Sequence, residues 1–322
     1  MSQSDEHPVL DQELLQWISR EYYEMNGSHI EILDAPPTPI EFSRLIHISR
    51  PVVIKGLQIP ASARWTNDYL VKKMGEHSIS VAFTPNGLAD AVTRDSDGKL
   101  YFTEPYTSQM TMQEFFDQLM KNPILYLQSQ NGNLYSSAFY EQDGRDSSEF
   151  QSLRADVPSK HPDAVNLWIG DERSTTSIHS DPYENIYTVV QGSKHFTLLP
   201  PADGWCLQER NYPHATYTPS PLDSNLVLTP SSSKTPYVRW SSIADPHLPE
   251  ALPPEVHPLS ITLEAGDTLY LPVGWWHHVR QSGDITVAVN WWYDAEVQGS
   301  TWVWLNMLRA RDVPLGNTGE DS

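Results

Sequence analysis

The sequence of 322 residues contains one cysteine, Cys206, and no long hydrophobic run. A single cysteine cannot form an intrachain disulfide, which excludes a secreted scaffold stapled by disulfides, and we expect Cys206 to be a surface thiol. No apolar stretch approaches the roughly 18 residues that a membrane span needs. The first residues also lack the basic and apolar regions of a secretory signal peptide. These absences predict a soluble, intracellular protein located in the cytoplasm, with a nuclear share left open.

Positive charge is scarce as well. Lys and Arg number 21 against 41 Asp and Glu, so the formal net charge is −20. Such a chain is repelled by polyanions, which argues against nucleic acid or an anionic membrane as its partner, and it is compatible with a basic protein partner. The sequence also has no Gly-x-Ser-x-Gly elbow, no P-loop and no dinucleotide-binding glycine pattern, so these hydrolase and nucleotide-binding classes are not indicated.

Aromatic residues and proline are abundant, with 11 Trp, 15 Tyr and 26 Pro. This composition favours a β-rich, loop-rich architecture over a helical bundle. We expect an N-terminal α/β segment at 1–123, a β core at 124–295, and a C-terminal helix with a disordered tail at 296–322. Twelve of the prolines lie in residues 200–258, which we interpret as an irregular surface insertion within the β core.

Local patterns predict the individual elements. Capping boxes begin helices at Thr38 and Thr111, each with Glu three residues later. From residue 164 the pattern is almost entirely β, with a hairpin turn predicted at 191–193 and further turns at 265–267 and 282–284. An amphipathic helix is predicted at 297–309. The other predicted helices cover about 10–26 and 66–74, and the predicted strands cover 51–54, 79–83, 124–128, 165–169, 175–179, 186–190, 195–199, 259–263, 268–271, 276–281 and 285–292.

One constellation carries chemistry. His179 and Asp181 are two residues apart on a predicted strand, so both side chains project to the same face. A His-x-Asp pair with a distant His forms the ligand set of a 2-His-1-carboxylate triad, which leaves positions on ferrous iron open for other ligands. The distant His comes from the pair His277 and His278, of which only one can point inward because neighbouring strand residues face opposite ways.

With these motifs the chain resembles the JmjC-domain Fe(II) and 2-oxoglutarate oxygenases over most of its length. Further stretches that carry the resemblance are Pro36–Pro39, Thr84–Val92, Pro162–Asn166, Tyr183–Tyr187 and Gly274–His278. The family implies a mainly β fold with flanking helices, the cupin-like double-stranded β-helix or jelly roll. It also implies Fe(II) as metal, 2-oxoglutarate as co-substrate and dioxygen as oxidant.

The resemblance assigns residues by position. It implies His179, Asp181 and His277 as the iron ligands and catalytic residues. It implies that Lys194 pairs with the distal carboxylate of 2-oxoglutarate, and the other residues that it places around the co-substrate are Tyr126, Thr176, Asn185, Tyr187 and Asn290, with Trp292 in the pocket wall. Each also has an ordinary interpretation: Lys194 as an exposed turn residue, Tyr126 and Thr176 as plain strand residues, and the two asparagines as a structural network.

The resemblance is greatest to the protein lysyl hydroxylases. It implies hydroxylation, at carbon 3, of a lysine in a basic segment of a developmentally regulated GTP-binding protein. The alternatives are a non-catalytic JmjC-like binding module and a histone-tail demethylase or endopeptidase, although the sequence has no hydrolytic constellation. C-terminal helices of related oxygenases form homodimers. Because Trp302 and Trp304 cannot both face one core, we expect a homodimer here too.

Overall fold

The computed structural model describes residues 11–129, 162–223, 225–296, 299–309 and 313–316. Six α-helices lie in this part of the chain, together with the 3-10 helix η1 (Pro201–Leu207). The α-helices are α1 (Gln12–Asn26), α2 (Pro39–Ile48), α3 (Pro60–Arg64), α4 (Asn67–Met74), α5 (Met112–Gln118) and α6 (Ser300–Arg309). None of the helices in these ranges is long and apolar enough to cross a membrane.

The same ranges contain eighteen strands, and the large sheets that they form agree with the jelly roll that the sequence predicts. They are β1 (Glu31–Leu33), β2 (Val52–Ile54), β3 (Ser78–Thr84), β4 (Leu88–Ala89), β5 (Ala91–Arg94), β6 (Leu100–Glu104), β7 (Tyr106–Thr111), β8 (Ile124–Ser129), β9 (Ala164–Gly170), β10 (Thr175–Ser180), β11 (Tyr183–Leu199), β12 (Arg210–Tyr212), β13 (His214–Pro219), β14 (Leu226–Pro230), β15 (Val238–Trp240), β16 (Leu259–Glu264), β17 (Thr268–Leu271) and β18 (Trp276–Asp294).

One sheet has twelve strands, of which nine follow the order β1-β2-β17-β11-β18-β9-β8-β3-β7. The other three of the twelve, β4, β10 and β16, lie off this path: β10 pairs with β18 and β4, and β16 pairs with β11. A four-stranded sheet has the order β14-β13-β6-β5, and β12 pairs with β15. The sheet of the β core predicted at 124–295 therefore continues through strands of the N-terminal segment.

Two long strands, β11 and β18, form the centre of the sheet. They pair antiparallel from Tyr183↔Asp294 to Leu199↔Trp276, with register shifts around Gln191. The hairpin turn predicted at 191–193 is wrong. Gly192, at φ 74°, lies within the continuous strand beside these shifts, because a glycine at positive φ accommodates a β-bulge as readily as a turn. The predicted turn at 282–284 likewise lies inside β18.

The core extends across the predicted segment boundary. One apolar cluster joins Leu70 and Phe115 of the N-terminal helices to Leu167 and Val289 of the central strands. Both predicted capping boxes are confirmed, since the Thr38 and Thr111 side chains each accept from the amide three residues on while the Glu there bonds back. The N-terminal helices thus begin where the sequence predicts them and bury their apolar faces against the sheet.

The region 200–258 is more ordered than the sequence suggests. It contains η1 and four strands, β12 to β15. Strand β13 extends a sheet by pairing in parallel with β6. The surface position expected for Cys206 is wrong, because this residue on η1 is 2% exposed and its thiol pKa is raised, chiefly by burial.

The C-terminal helix differs at its start and beyond its end from the prediction. It begins at Ser300, while residues 297 and 298 lie outside the described part. Beyond it, the Asn211 amide donates to Pro314 O at 2.9 Å and Leu315 forms a bridge with Asn211. Residues 313–316 are thus held against β12, which differs from the predicted disorder, and the rest of the predicted tail lies outside the described residues.

Candidate active site

Three side chains converge at one end of the sheet. His179 of β10 and His277 of β18 are direct cross-strand partners, and Asp181 follows the end of β10. The Asp181 carboxylate oxygens lie 3.8 Å from His179 Nε2 and 3.6 Å from His277 Nε2. One ligand atom from each residue lies within 4.8 Å of the other two. Two imidazole nitrogens and one carboxylate form the donor set that suits ferrous iron with open positions.

Both imidazoles are oriented by the backbone. His179 Nδ1 lies 2.8 Å from Ser177 O, and His277 Nδ1 lies 3.1 Å from Trp275 O. A carbonyl oxygen only accepts, so Nδ1 carries the proton on each ring and Nε2 keeps its lone pair. Burial, followed by the nearby His179, lowers the His277 pKa to about 4. The neutral form that binds metals is therefore favoured on this ring.

His278 is turned away from this cluster. Its ring lies 5.6 Å from that of His247, in an edge-on arrangement, and His247 bonds Thr197. Neighbouring residues on β18 face opposite sides of the sheet. Of the two histidines between which strand geometry leaves the choice open in the sequence, His277 is the one that lies beside His179 and Asp181.

Sequence reasoning missed an aromatic support from the proline-rich region. The Trp240 ring stacks on that of His179 with centroids 5.8 Å apart and planes 10° apart. Its indole nitrogen donates to Ser177 Oγ at 3.2 Å, and this hydroxyl donates to Asp90 O at 2.8 Å. No motif surrounds Trp240 in the sequence. The only signal of its role was the presence of a tryptophan in a stretch with few other apolar residues.

Lys194 is the buried cation of the site. It is 2% exposed, so its interpretation as an exposed turn lysine is wrong. Its ammonium donates to Tyr126 Oη at 3.3 Å, and no carboxylate of the described residues forms an ion pair with it. Burial lowers its pKa to about 7. A buried amine without a counter-charge suits an anionic ligand, because a carboxylate offsets the cost of desolvating the ammonium.

Two hydroxyls lie at the same place. Thr176 bonds the Tyr126 hydroxyl, and burial raises the Tyr126 pKa further than this bond lowers it. Gly170, the cross-strand partner of Tyr126, leaves room for that ring, since a Cβ there would lie 2.6 Å from Tyr126 Cδ2. Lys194, Tyr126 and Thr176 thus form one polar group on the cleft wall.

The predicted amides form a network. Asn290 donates to Asn185 Oδ1 at 2.9 Å and accepts from the Trp168 indole at 2.7 Å. Both asparagines also line the cleft, so a structural hydrogen-bond network and a position in the pocket wall are compatible interpretations. Tyr187 is buried edge-on to Phe196 at 5.2 Å. A further amide that the sequence did not single out, Asn166, is fully buried, and neither of its polar atoms has a hydrogen-bond partner.

These groups open into a cleft of about 1200 Å³ that reaches from the sheet interior to the surface. Strands of the N-terminal segment and of the 200–258 region contribute to its walls, where Tyr106 and Tyr217 lie. Trp292 stacks on Tyr183 at 5.0 Å along one side. Apart from Asp181 and Lys194, the Asp, Glu, Lys and Arg residues of the described lining are Asp90 and Glu104. The described lining therefore carries three carboxylates against one amine, together with several aromatic rings.

A jelly roll that presents two histidines and a carboxylate beside a buried lysine defines a class, the metal-binding cupin folds. In agreement, the family model described as "Cupin-like domain" matches residues 37–299. The chain is 35% identical over 316 residues to "Lysine-specific demethylase JMJ32" of Arabidopsis thaliana, which covers 90% of this chain and 89% of the relative. It is 34% identical over 275 residues to "Bifunctional peptidase and (3S)-lysyl hydroxylase JMJD7" of Homo sapiens, covering 83% and 84%.

A third relative, "JmjC domain-containing protein E" of Dictyostelium discoideum, is 31% identical over 307 residues and covers 85% of this chain and 86% of its own. These matches extend over nearly the full length of each relative. The chain belongs to the cupin-like JmjC family, whose members are 2-oxoglutarate oxygenases.

Proposed function

We propose that this protein is an Fe(II)- and 2-oxoglutarate-dependent dioxygenase that hydroxylates a lysine side chain of another protein. The observation that carries the proposal is the convergence of His179, Asp181 and His277 in the cleft that also holds Lys194, a buried cation without a carboxylate partner among the described residues. The donor set fits ferrous iron, and the lysine fits the distal carboxylate of a dicarboxylic acid.

His179, Asp181 and His277 would hold the metal through Nε2, a carboxylate oxygen and Nε2. When bound, iron and 2-oxoglutarate supply the activation of dioxygen and the oxidative decarboxylation to succinate that accompanies hydroxylation. The protein holds the two imidazoles in their neutral tautomer through the Ser177 and Trp275 carbonyls. Asp181 contributes the negative charge that offsets the charge of the metal.

The wall of the cleft holds the co-substrate. Lys194 donates to the distal carboxylate, and the hydroxyls of Tyr126 and Thr176 supply further hydrogen bonds. Lys194 and Tyr126 are buried, and the exclusion of water around them strengthens the charge-assisted bonds. Asn185 and Asn290 fix one another by their mutual hydrogen bond and present a rigid polar edge, while Tyr187 and Trp292 shape the apolar part of the pocket.

We expect the side chain of the target lysine to enter this cleft. Asp90 and Glu104 place negative charge on its walls, and aromatic faces there suit an ammonium group. The formal net charge of −20 favours encounter with a basic segment of a partner protein. The human relative is named a (3S)-lysyl hydroxylase, which supports carbon 3 as the site of hydroxylation. As the substrate we propose a GTP-binding protein of the developmentally regulated class, which the family resemblance of the sequence implies.

A second candidate is demethylation of a methylated lysine, since the plant relative is named a lysine-specific demethylase. The same metal chemistry serves both reactions. Endopeptidase activity ranks lower, although the human relative is also named a peptidase, because the described cleft contains no serine or cysteine nucleophile activated by a base. A non-catalytic binding module ranks lowest, because all four residues that a working site needs lie in one cleft.

Mass spectrometry of lysine-containing peptides from GTP-binding proteins, incubated with Fe(II), 2-oxoglutarate and dioxygen, tests the proposal. We expect one added oxygen atom on an unmodified lysine, accompanied by succinate. Loss of a methyl group from a methylated lysine identifies a demethylase, and peptide cleavage without succinate identifies a peptidase. Absence of succinate with every substrate, and without one, contradicts an oxygenase. The Asp181→Ala variant serves as the inactive control.

A further inference from the structure

Outside the cleft, the described structure contains a compact ion cluster behind the three candidate ligands. Glu209 follows η1, and its side chain is 8% exposed. Its carboxylate accepts from two arginines that are distant in sequence. Arg239 donates to Oε2 from Nη2 at 2.6 Å and from Nε at 3.0 Å. Arg309, at the end of α6, donates to Oε1 at 2.8 Å, so each carboxylate oxygen is occupied by a different arginine.

Arg309 extends from Glu209 to the strands of the candidate metal centre. Its guanidinium carbon lies 4.9 Å from the centre of the Trp276 ring, in a cation–π contact. Its Nη1 donates to Ser180 Oγ at 3.3 Å. Ser180 lies between His179 and Asp181, and Trp276 immediately precedes His277. One side chain of α6 therefore contacts the chain neighbours of all three candidate ligands.

Arg239 connects the same carboxylate to the remaining support. It immediately precedes Trp240, the ring that stacks on His179. It also donates to the Arg309 backbone carbonyl at 2.8 Å, which closes the cluster. Trp276 is confined further by Gly204 of η1, where a Cβ would lie 2.7 Å from its indole nitrogen. The Trp240 and Trp276 rings, which lie beside the candidate ligands, are thus held in place by one carboxylate and two guanidinium groups.

The geometry points to Glu209 and Arg309 as positioning residues that hold the His179, Asp181 and His277 side chains in metal-binding geometry from the C-terminal helix. We name the cluster of Glu209, Arg239 and Arg309 the rear clamp. This inference rests on the proposed function, because it assumes that the three residues bind a metal. The inference goes beyond the proposed function because it makes metal affinity depend on the packing of α6, whose residues lie outside the cleft.

The physical reason is preorganisation. A bidentate or stacked arginine restricts both its own side chain and the groups that it contacts, and outer groups that orient metal ligands typically contribute about 10–100-fold to metal affinity. Lysine at position 309 would retain the positive charge but lose the planar stack on Trp276 and the fork that reaches both Glu209 and Ser180. The Arg309→Lys variant therefore separates the effect of the positive charge at this position from the effect of holding Trp276 and Ser180 in place.

A second ion pair in the same protein provides a matched control. Lys55 and Asp267 lie 2.5 Å apart, with side chains 41% and 9% exposed. The Arg309–Glu209 pair is 2.8 Å apart, with side chains 44% and 8% exposed. The two pairs are alike in burial, but neither Lys55 nor Asp267 contacts a neighbour of the candidate ligands. Lys55→Met and Arg309→Met should therefore affect the unfolding transition to a similar, small extent.

The test is titration of the full-length protein with Co(II), followed by the visible absorption of the bound ion, which reports both affinity and ligand geometry. We expect Arg309→Met and Glu209→Gln to weaken Co(II) binding about tenfold or more and to change the spectrum. Arg309→Lys should weaken binding less than Arg309→Met, and Lys55→Met should match the wild type. Denaturant unfolding of each variant shows that the ligand measurements are made on folded protein.

Co(II) binding by Arg309→Met and Glu209→Gln within about twofold of the wild type, with an unchanged spectrum, overturns the rear clamp and leaves the proposed function intact. If Arg309→Met does not fold, Arg309→Lys decides alone: wild-type affinity and spectrum in that variant overturn the clamp. Co(II) binding by Asp181→Ala that equals that of the wild type would instead overturn the proposed function itself.

Discussion

His277 and His278 are adjacent in the chain, yet they lie in different surroundings. His277 faces Asp181 across 3.6 Å, whereas His278 packs against His247. Burial lowers the pKa of each to about 4, so both remain neutral near pH 7, and the pKa does not distinguish them. Only the direction of the side chain does, and this follows from the alternation of faces along β18.

We expect His277→Ala to abolish measurable Fe(II) binding, because it removes one of three ligands. His278→Ala should retain it and lose stability only, by about 2 kcal/mol, through the cavity that it leaves in a buried site. Anaerobic Fe(II) titration combined with denaturant unfolding separates the two effects. Equal losses of Fe(II) affinity in both folded variants would show that the ligand assignment is wrong.

Lys194 shows how the co-substrate and pH are linked. Burial lowers its pKa from an ordinary 10.5 to about 7, so the free protein loses this positive charge as the pH rises through 7. A carboxylate beside the amine favours the charged form and raises the pKa again. Binding of 2-oxoglutarate should therefore take up close to one proton per molecule at about pH 8–9, and its affinity should fall as the pH rises above 7.

Calorimetric titration of the Fe(II)-loaded protein in two buffers of different ionisation enthalpy measures this proton uptake. In Lys194→Met the uptake should disappear. Its affinity for 2-oxoglutarate should fall at least about a hundredfold, as expected when one partner of a buried charge pair is removed, while Fe(II) binding changes little. Lys55→Met provides a control that removes an equivalent charge elsewhere. A change below about threefold in Lys194→Met would place Lys194 outside the co-substrate site.

At the scale of elements, the long strand β11 depends on a single glycine. Gly192 has φ 74°, and a Cβ there would lie 2.5 Å from Thr286 Oγ1 and 2.9 Å from Ile285 O. Gly266 also has positive φ, 95°, but a Cβ there meets nothing within 4 Å. Substitution of each glycine by Ala separates backbone strain from steric clash. Both substitutions incur backbone strain, and only the one at Gly192 adds a clash.

Gly266→Ala should cost about 1–2 kcal/mol through the backbone conformation alone. Gly192→Ala should cost about 1–3 kcal/mol more, because the clash with the β18 backbone forces the two central strands apart. Chemical denaturation with matched slopes measures both differences. If the two variants have the same midpoint, the bulge at Gly192 tolerates a side chain, and the tight contact with β18 does not hold.

Local signals predicted the elements best where the whole pattern lies within a few residues. The capping boxes at Thr38 and Thr111 begin helices as expected, because each motif satisfies its own backbone donors. The sequence around Gly192 was ambiguous, because the same glycine permits a two-residue turn or a bulge, and only the partner strand decides between them. The strands of 200–258 were missed because they are short and pair with distant partners.

At the scale of the whole molecule, α6 has one covered and one open face. Leu308 packs with the apolar cluster that includes Trp276. Trp302 is half-buried, whereas Val303 and Trp304 are 67% and 56% exposed. The expectation that the two tryptophans face different surroundings agrees with this arrangement. Two adjacent exposed apolar side chains favour an interface, and the homodimer remains a prediction.

Light scattering of the full-length protein at micromolar concentration should give about twice the chain mass of 36.5 kDa. Trp304→Glu should yield the monomer, because a buried charge without a partner opposes association. Trp17, 50% exposed on α1, provides the matched control, and Trp17→Glu should remain dimeric. A wild-type mass near that of one chain contradicts the dimer, and a dimeric Trp304→Glu contradicts α6 as its interface.

The candidate site could be predicted only where it follows motifs. His179 lies on β10 and Asp181 directly follows its end, so their spacing alone places them together, while Lys194 required a known family pattern. Trp240 and Glu209 could not be predicted at all. Their contacts with the site join segments far apart in sequence, and such contacts depend on how sheets close and pack rather than on local spacing.

The central claim is that His179, Asp181 and His277 bind iron and that 2-oxoglutarate chelates this iron. Anaerobic addition of Fe(II) and 2-oxoglutarate to the purified protein, monitored by the visible charge-transfer absorption of the chelate, tests it most directly. The band should appear in the wild type and in Asp284→Ala, which removes an exposed carboxylate from the same strand as His277. It should be absent from Asp181→Ala, which loses the only anionic ligand. A band of equal intensity in Asp181→Ala, or none in the wild type, would contradict the account.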